Sequence, residues 1–258
     1  MEYFIWSADP VAISFLGVHI HWYGIFFAAA ILSGLEFMKW VFRQEGKDAA
    51  LLDSMFLYIV VGIVVGARLG HCLFYDPAFY LANPLKILAV WEGGLASHGG
   101  GVGVIIALFL YVKKYKMDLV WLLDRVAIPT ALFGFFVRMG NFMNSEIVGH
   151  ESQLPWAIVF TKIDDLARHP TQLYEAFAYL FIFLALAFIY KTRRQKLGRG
   201  FLFGLFLTLL FSARFFIEFV KEKQEAYATE LLSTGQMLSI PFLLLGLFLI
   251  IMSFRKKA

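Results

Sequence analysis

The sequence LVWLLDRVAIPTALFGFFVRMGNFMNSEIVG, residues 119–149, decides the fold of this chain. Its first part, residues 119–139, is apolar over a length that crosses a bilayer as a helix, for which about 20 residues suffice. Its second part, residues 138–149, brings together an arginine, two asparagines, a glutamate and two glycines. Such polar groups are costly at a membrane unless they are partnered, so they indicate a function. Arginine binds phosphate through a planar fork of donors. The stretch therefore predicts a membrane span that ends in a site for an anionic headgroup.

The composition of the whole chain is that of a membrane protein. Of its 258 residues, 60% are hydrophobic and only 16% are charged, whereas about a quarter of the residues in soluble domains are charged. The formal charge of +4 arises from basic residues in short loops between apolar stretches, so we expect no nucleic-acid partner. The single cysteine, Cys72, excludes an intrachain disulfide and a cysteine-based metal site, and no histidine spacing predicts a metal site.

Seven apolar stretches predict an all-α polytopic membrane protein with about seven transmembrane helices. They are 18–41, 52–74, 95–113, 119–139, 172–190, 201–220 and 236–254. Lysine and arginine concentrate in the loops after the first, third and fifth stretches and at the C-terminus. Because positively charged loops stay in the cytoplasm, this pattern predicts an N-terminus outside and a C-terminus inside. We expect one domain over residues 1–258, in which residues 140–171 form a small extracytoplasmic cap with a strand around residues 158–160.

The costly polar groups of separate spans fall at a similar depth. At about 1.5 Å per helical residue, each lies in the outer third of the bilayer once the predicted topology is applied. They are Tyr23, Arg68, His98, Arg138, Tyr174, Glu175, Arg214 and Glu218. Chance would scatter such groups over both faces, so their convergence predicts one active or binding site towards the extracytoplasmic leaflet.

Structural alternatives stand beside this interpretation. Arg68 is also compatible with snorkelling or with pairing to a helix carbonyl, and His98 with a hydrogen-bonded residue of the interface. Arg214 and Glu218 are spaced i,i+4 and could form only a structural ion pair on one helix face. Ser97 is a poor candidate nucleophile, because no G-x-S-x-G elbow surrounds it.

Residues 138–149, RMGNFMNSEIVG, resemble the signature of bacterial prolipoprotein diacylglyceryl transferases, G-R-x-G-N-[FY]-x-N-x-E-x-x-G. Further blocks follow in the family's order: HWYG at 21–24, GARLG at 66–70, WEGGLASHGGG at 91–101, RHPTQLYE at 168–175, RFFIEF at 214–219 and STGQMLS at 233–239. Three positions depart from the pattern, since Val137 replaces a glycine, His71 an aromatic residue and Leu210 a tyrosine. None of these removes a charged member of the predicted site.

The resemblance implies transfer of a diacylglyceryl group from phosphatidylglycerol to the lipobox cysteine thiol of a preprolipoprotein, the first step of bacterial lipoprotein maturation. In this reaction a thioether forms and glycerol phosphate leaves. The resemblance also implies a multi-pass protein of the bacterial cytoplasmic (inner) membrane. Its partners are then phosphatidylglycerol, signal peptides with a lipobox cysteine and the surrounding membrane lipid, and no cofactor is expected.

The same resemblance suggests roles for the polar residues. His98 is the candidate base that ionises the thiol, because an imidazole accepts a proton near neutral pH. Arg138 and Arg214 are the candidate clamps on the phosphate, acting by preorganised electrostatics. The expected substrate-binding residues are Arg138, Tyr23, Arg68, Asn141, Asn144, Glu146, Gly149, Glu175 and Glu218. The asparagines and glutamates among them could bind the glycerol headgroup or hold the arginines in place.

Two other classes of protein compete with this hypothesis. A transporter or lipid-translocating carrier would typically have its site near the bilayer midplane and show internal repeats, and the sequence has neither pattern. An intramembrane protease would need a nucleophile, for which the sequence offers no credible candidate.

Overall fold

The computed structural model describes residues 2–15, 17–222 and 232–255. Most of these residues are helical, as the apolar stretches predict. The helices are α1 Trp22–Gln44, α2 Ala50–Phe74, α3 Pro77–Ala82, α4 Ser97–Lys114, α5 Leu119–Met143, α6 Thr171–Arg193, α7 Phe201–Ile217 and α8 Thr234–Arg255. Short 3₁₀ segments lie at Pro84–Leu88, Val90–Glu92, Arg194–Lys196 and Glu218–Val220. The strands are β1 Phe4–Trp6, β2 Val11–Phe15, β3 Val18–His21, β4 Ile158–Phe160 and β5 Ala167–Arg168.

Within the described ranges, six helices are long and apolar enough to cross a membrane. They are α1, α2, α5, α8 and the helical segments Thr171–Lys196 and Phe201–Val220, which begin with α6 and α7. The predicted span 95–113 corresponds to α4, which is not among the six. Glycines fill the first turn of this 18-residue helix and two lysines its last turn, so its apolar part is short. The prediction of an all-α polytopic protein is confirmed, while the orientation of its ends stays a prediction.

The first predicted span begins later than the hydropathy suggests. Residues 18–21 form β3, which pairs with β2 in an antiparallel hairpin, and α1 starts only at Trp22. The hairpin alternates apolar residues with histidines in VHIH, and this period of two favours a strand. The hydropathy of residues 18–21 is therefore part of the hairpin and not of the span.

The described chain divides into two compact units. One comprises Met1–Met38 with Leu123–Ala258, and the other comprises Lys39–Leu122. In the first unit α7 packs along α8 and against α6, and in the second α2 packs along α4. The prediction of one functional domain over residues 1–258 is not tested by this division.

Glycines allow α2 and α4 to pack backbone against backbone. Gly62, Gly66 and Gly70 follow one another at four-residue intervals on α2, and Gly99 and Gly103 do so on α4. A Cβ atom built on Gly70 would lie 2.8 Å from the Cα of Gly99, and one on Gly103 would collide with the carbonyl of Gly62. Small residues at this spacing are typical of closely packed membrane helices.

A carboxylate from α5 caps the N-terminus of α7. Asp124 is buried, and its side chain accepts hydrogen bonds from the backbone N–H groups of Gly200 at 2.8 Å and Phe203 at 2.9 Å. These donors have no partner inside the helix, and a negative charge is favourable at that end of the helix dipole. Asp124 therefore fixes α5 to the start of α7.

The cap has a small mixed sheet that combines the N-terminal strand with two strands from the segment between α5 and α6. Strand β1 pairs in parallel with β4, and β4 pairs antiparallel with β5. The strand predicted around residues 158–160 is confirmed, whereas the contribution of β1 was not predicted. Beneath the sheet lies a core made of Phe142, Val148, Ile158 and Phe160, with Trp6, Met143 and Leu173 at its margin. Because α5 continues to Met143, the non-helical part of the cap begins after that residue and not at residue 140.

Candidate active site

Arg138 joins the end of α5 to the start of α6. Its Nε lies 2.8 Å from Glu175 Oε2, and its Nη2 donates to Glu175 Oε1 at 3.3 Å. Its Nη1 donates to Asn141 Oδ1 at 3.1 Å. The Glu175 side chain is almost wholly buried and that of Arg138 is 12% exposed. This two-point contact holds the guanidinium in one orientation, which a lysine in its place could not reproduce.

The turn after α5 is strained, and its polar side chains lock it. Ser145 and Ile147 have φ angles of 56° and 60°, a left-handed conformation that is rare for residues other than glycine. Inside the turn, Glu146 Oε1 accepts from the side-chain amides of Asn141 at 2.8 Å and Asn144 at 3.2 Å. Strain of this kind persists only where the surroundings enforce it, and it concentrates at functional sites.

Two residues of the first turn of α6 hold the strained turn from outside. Thr171 Oγ1 donates to the carbonyl of Ile147 at 2.8 Å, and Gln172 Nε2 donates to the carbonyl of Glu146 at 2.7 Å. Both side chains are fully buried. Thr171 and Gln172 belong to the RHPTQLYE block, but no role was predicted for them, because their partners lie about 25 residues away.

Two further predicted site residues are closely packed: Gly149 contacts His169, and Tyr23 packs against α5 at Gly140. The N–H of Gly149 donates to His169 O at 2.9 Å, and a Cβ at this position would lie 2.6 Å from the Cβ of His169. Its carbonyl accepts from Arg168 Nη1 at 3.2 Å. A Cβ on Gly140 would lie 2.7 Å from the Tyr23 ring, which therefore packs directly on this glycine. Close packing by itself accounts for a glycine at position 149.

A third cation, which was not among the predicted site residues, lies between two carboxylates. Lys221 Nζ is 3.7 Å from Glu175 Oε1 and 3.7 Å from Glu218 Oε2. Its side chain is only 9% exposed, and burial lowers the pKa of Lys221 even though both carboxylates oppose that shift. The sequence did not indicate a role for Lys221 in the site, because a lysine just after a membrane span is usually an ordinary charge of the following loop.

Arg214 belongs to the same cluster without being paired in it. Its charge acts on both Lys221 and Tyr179. Arg214 is half-buried, yet it makes no hydrogen bond or ion pair to any residue of the described ranges. Glu218 approaches Lys221 instead, and its Oε2 accepts no hydrogen bond there. The i,i+4 ion pair considered from the sequence is therefore not formed.

In the second unit, the side chain of Arg68 binds the loop between α3 and α4. Its side chain is buried and donates to four backbone carbonyls between α3 and α4. The acceptors are Lys86, Ile87, Gly93 and Gly94. Pairing to carbonyls was the structural alternative for this residue, although the carbonyls belong to a loop and not to a helix. Substrate binding by Arg68 stays a prediction.

His98 lies in the first turn of α4 and is exposed. Among the described residues, it has no hydrogen-bond partner. Its ring lines an apolar cavity of about 1040 Å³ along α2 and α4, whose wall also includes Val65, Leu69 and Val102. The role of His98 as the base that takes the thiol proton stays a prediction.

Comparison with known proteins identifies the family of this chain. The sequence model of prolipoprotein diacylglyceryl transferase matches residues 10–252. The chain belongs to the prolipoprotein diacylglyceryl transferase family. A relative named phosphatidylglycerol–prolipoprotein diacylglyceryl transferase from Tolumonas auensis is 52% identical over 255 residues, which cover 98% of both chains. Relatives of the same name from Chloroherpeton thalassium and Bacteroides fragilis are 44% and 41% identical and cover 96% or more of each chain.

Membership of the transferase family gives the polar cluster of the first unit a context. The motif residues that suggested the family, Arg138 to Gly149, form the strained turn and its contacts with α6. Of the predicted site residues, the structure places nine in the unit that contains this turn. They are Tyr23, Arg138, Asn141, Asn144, Glu146, Gly149, Glu175, Arg214 and Glu218. Arg68 and His98 belong to the other unit.

Proposed function

We propose that this chain transfers the diacylglyceryl group of phosphatidylglycerol to the lipobox cysteine thiol of preprolipoproteins. Family membership over nearly the whole chain supports the reaction. The observation that supports the site most directly is the buried cluster in which Arg138 is fixed by Glu175 while Arg214 is left unpaired among the described residues. One arginine is held rigidly for the phosphate, and the second is available to bind it.

The reaction requires one group that accepts the thiol proton and one site that binds the negatively charged leaving group. The thiol has an unperturbed pKa of about 8.5 and is mostly protonated near pH 7, so His98 takes its proton. The thiolate attacks the glycerol carbon of the diacylglyceryl group, and a sulfur–carbon bond forms. The carbon–oxygen bond to the phosphate breaks, and its electron pair remains on the leaving glycerol phosphate. Arg138 and Arg214 stabilise that negative charge in a site where little water screens it.

Buried acceptors suit the headgroup of phosphatidylglycerol, whose outer glycerol carries hydroxyl donors. Among the described residues, Asn144 Oδ1, Gln172 Oε1 and Glu218 Oε2 are buried and accept no hydrogen bond. Buried acceptors without partners are rare in native structures and call for an explanation. We assign them to the headgroup hydroxyls, while Asn141, Glu146 and Glu175 mainly hold the arginine and the turn in place.

The location proposed for the site is the outer leaflet of the bacterial cytoplasmic membrane. The supporting observation is the distribution of basic residues, which follow α1, α4 and α6 and close the chain after α8. Because such loops stay in the cytoplasm, the N-terminus, the cap and the end of α5 lie outside. Two acyl chains then remain in lipid while the headgroup reaches the cluster.

The test is incubation of the purified protein with phosphatidylglycerol vesicles and a lipobox peptide, followed by mass analysis of the peptide. We expect the peptide mass to rise by one diacylglyceryl group and glycerol phosphate to appear in equal amount. A peptide with serine in place of cysteine and vesicles of phosphatidylethanolamine should give no product. Lipid movement between leaflets without any change in peptide mass would instead indicate a carrier and overturn the proposal.

A further inference from the structure

Lys221 is the one member of the buried ion cluster to which the proposed reaction gives no role. It lies between Glu175 and Glu218, at 3.7 Å from each. Arg138 already neutralises Glu175 from the other side. Glu218 approaches only one cation among the described residues, and that cation is Lys221. Without Lys221, Glu218 would therefore have no cation beside it among the described residues.

The backbone around Lys221 fixes the direction of its side chain. Lys221 forms a β-bridge with Gly149, next to the strained turn. On either side of it, His150 N donates to Val220 O at 2.9 Å and Glu222 N donates to Val148 O at 3.2 Å. The lysine is thus held by the segment that carries the motif residues, so its ammonium group is placed between the carboxylates by the fold and not by a flexible tether.

Without the lysine, Glu218 has an obvious alternative partner. Arg214 is one helical turn earlier, and oppositely charged residues at i,i+4 pair readily on a helix. A buried carboxylate that loses its cation is strongly destabilised and takes the nearest replacement. A Glu218–Arg214 pair would occupy the guanidinium that the proposed reaction requires for the phosphate.

We propose that Lys221 is a positioning residue that holds Glu218 and Glu175 from one buried point and thereby leaves Arg214 free to bind the phosphate of the lipid. This role rests on the proposed function, because it concerns the affinity of that site for phosphatidylglycerol. It predicts that charge at position 221 controls the KM for the lipid more than the rate of the chemical step.

The test compares the kinetics of four variants with those of the wild type. We expect Lys221→Gln to raise the KM for phosphatidylglycerol by about tenfold or more, the effect of losing a favourable charged contact, with a smaller change in kcat. Lys221→Arg should keep the wild-type KM because it keeps the charge. The double variant Lys221→Gln with Glu218→Gln should recover most of the lost affinity, because no carboxylate then competes for Arg214 while the introduced amide oxygen at position 218 still accepts from a headgroup hydroxyl. Lys162→Gln, on the surface of the cap, is the control for loss of a lysine and should behave as the wild type.

The double variant tests the role of Lys221 even if Lys221→Gln does not fold. It removes the buried cation and one carboxylate together, so no uncompensated charge of Glu218 is left. A KM in the double variant as high as in Lys221→Gln, or tenfold above wild type when the single variant cannot be purified, overturns the role. A fall in kcat at unchanged KM in Lys221→Gln also overturns it. If the wild type itself produces no diacylglyceryl peptide, the proposed function fails first, and the two failures are thus distinguishable.

Discussion

Arg138 illustrates how one side chain can carry both structure and chemistry. It bridges α5 and α6 through Glu175 and also contacts Asn141 within its own turn. These contacts engage Nε, Nη1 and Nη2 of the guanidinium, and Tyr179 also interacts with Arg138. The contacts orient the guanidinium that the proposed reaction uses to bind the phosphate.

We expect Arg138→Lys to lower kcat/KM for phosphatidylglycerol by roughly tenfold to hundredfold, because one charged hydrogen bond is worth about 1.5–3 kcal/mol. Lysine keeps the charge but cannot contact Glu175 at two points. Steady-state assays with vesicles and lipobox peptide measure the effect, and Arg255→Lys at the exposed end of α8 is the matched control. Full activity of Arg138→Lys would exclude the clamp.

His98 is a residue whose role can be separated from stability. Because it is exposed and has no partner among the described residues, His98→Gln should leave thermal stability unchanged. If it is the base, turnover should fall by about 10²–10⁴-fold and recover in part as the pH rises, since more thiol ionises unaided. Turnover is measured against pH for both proteins, with His150→Gln as the histidine control. Parallel pH profiles would leave His98 without a base function.

His169 gives the cap a dependence on pH. Trp156 Nε1 donates to the Tyr174 hydroxyl at 2.8 Å, and that hydroxyl lies 3.1 Å from His169 Nδ1. An indole N–H can only donate, so the hydroxyl accepts from Trp156 and keeps its own proton for donation to Nδ1 whenever that nitrogen is unprotonated. Burial, together with the nearby His150, lowers the pKa of His169 below its usual 6.5.

The sign of the effect on stability follows from proton uptake. Below about pH 6.5 the unfolded chain binds a proton at His169 that the folded cap resists, so stability falls as the pH drops through this range. We expect the protection factors for hydrogen exchange in residues 144–170, which correct for the fall of the intrinsic exchange rate with pH, to decrease between pH 7.5 and 5, and to do so less in His169→Gln. His19→Gln, in the N-terminal hairpin, should follow the wild type. An equal loss of protection in His169→Gln and wild type would contradict the prediction.

At the scale of elements, the glycines between α2 and α4 set the distance between two helices. A Cβ at Gly103 would meet the carbonyl of Gly62, whereas one at Gly101, on the same helix, would meet nothing within 4 Å. The same substitution therefore has opposite expected effects two residues apart. The comparison separates packing from helix propensity, because both changes replace glycine by alanine in one helix.

We expect Gly103→Ala to destabilise the protein by about 1–3 kcal/mol, the usual effect of overpacking. Gly101→Ala should be neutral or stabilising by up to about 1 kcal/mol, because alanine favours a helix. Thermal unfolding in detergent measures both. A melting temperature of Gly103→Ala equal to that of Gly101→Ala would show that α2 and α4 are not in close contact.

For most of the long helices, hydropathy was sufficient to predict where the helix begins and ends. The predicted starts and ends of most spans differ from the helices by only a few residues, because length and apolarity are properties of one segment. The exceptions are residues 18–21, which form a strand, and α4, whose ends are polar. Residues 18–21 pair with β2 in a hairpin, and α4 packs along α2. The structure of each of these segments therefore depends on a neighbouring element.

At the scale of the whole molecule, the distribution of basic loops predicts how the chain crosses the membrane. Single cysteines at Gln153 in the cap and Gln195 after α6, both exposed, test it in a Cys72→Ala background. Cys72 is buried, so its removal only eliminates residual labelling. With intact cells, we expect an impermeant thiol reagent to label Gln153→Cys and not Gln195→Cys. Equal labelling of the two positions would refute the predicted orientation.

The sequence by itself determined the membrane class, the spans and the motif around Arg138. Backbone polar groups in lipid must be satisfied within the segment, so an apolar stretch of sufficient length has little choice but a helix. The motif residues are neighbours in the chain, and their spacing alone predicted a polar site. Family resemblance then supplied the expected reaction, because the same residue types recur in the same order.

Only the tertiary structure decided which charges pair. Glu175, Glu218 and three cations come from different helices and loops, and the sequence offered the i,i+4 pair of Arg214 with Glu218 as the nearest choice. The fold instead brings Lys221 between the carboxylates by bonding its backbone to the segment after the strained turn. A buried carboxylate is neutralised by whichever cation the packing places beside it, and distance through space is not written in the spacing along the chain.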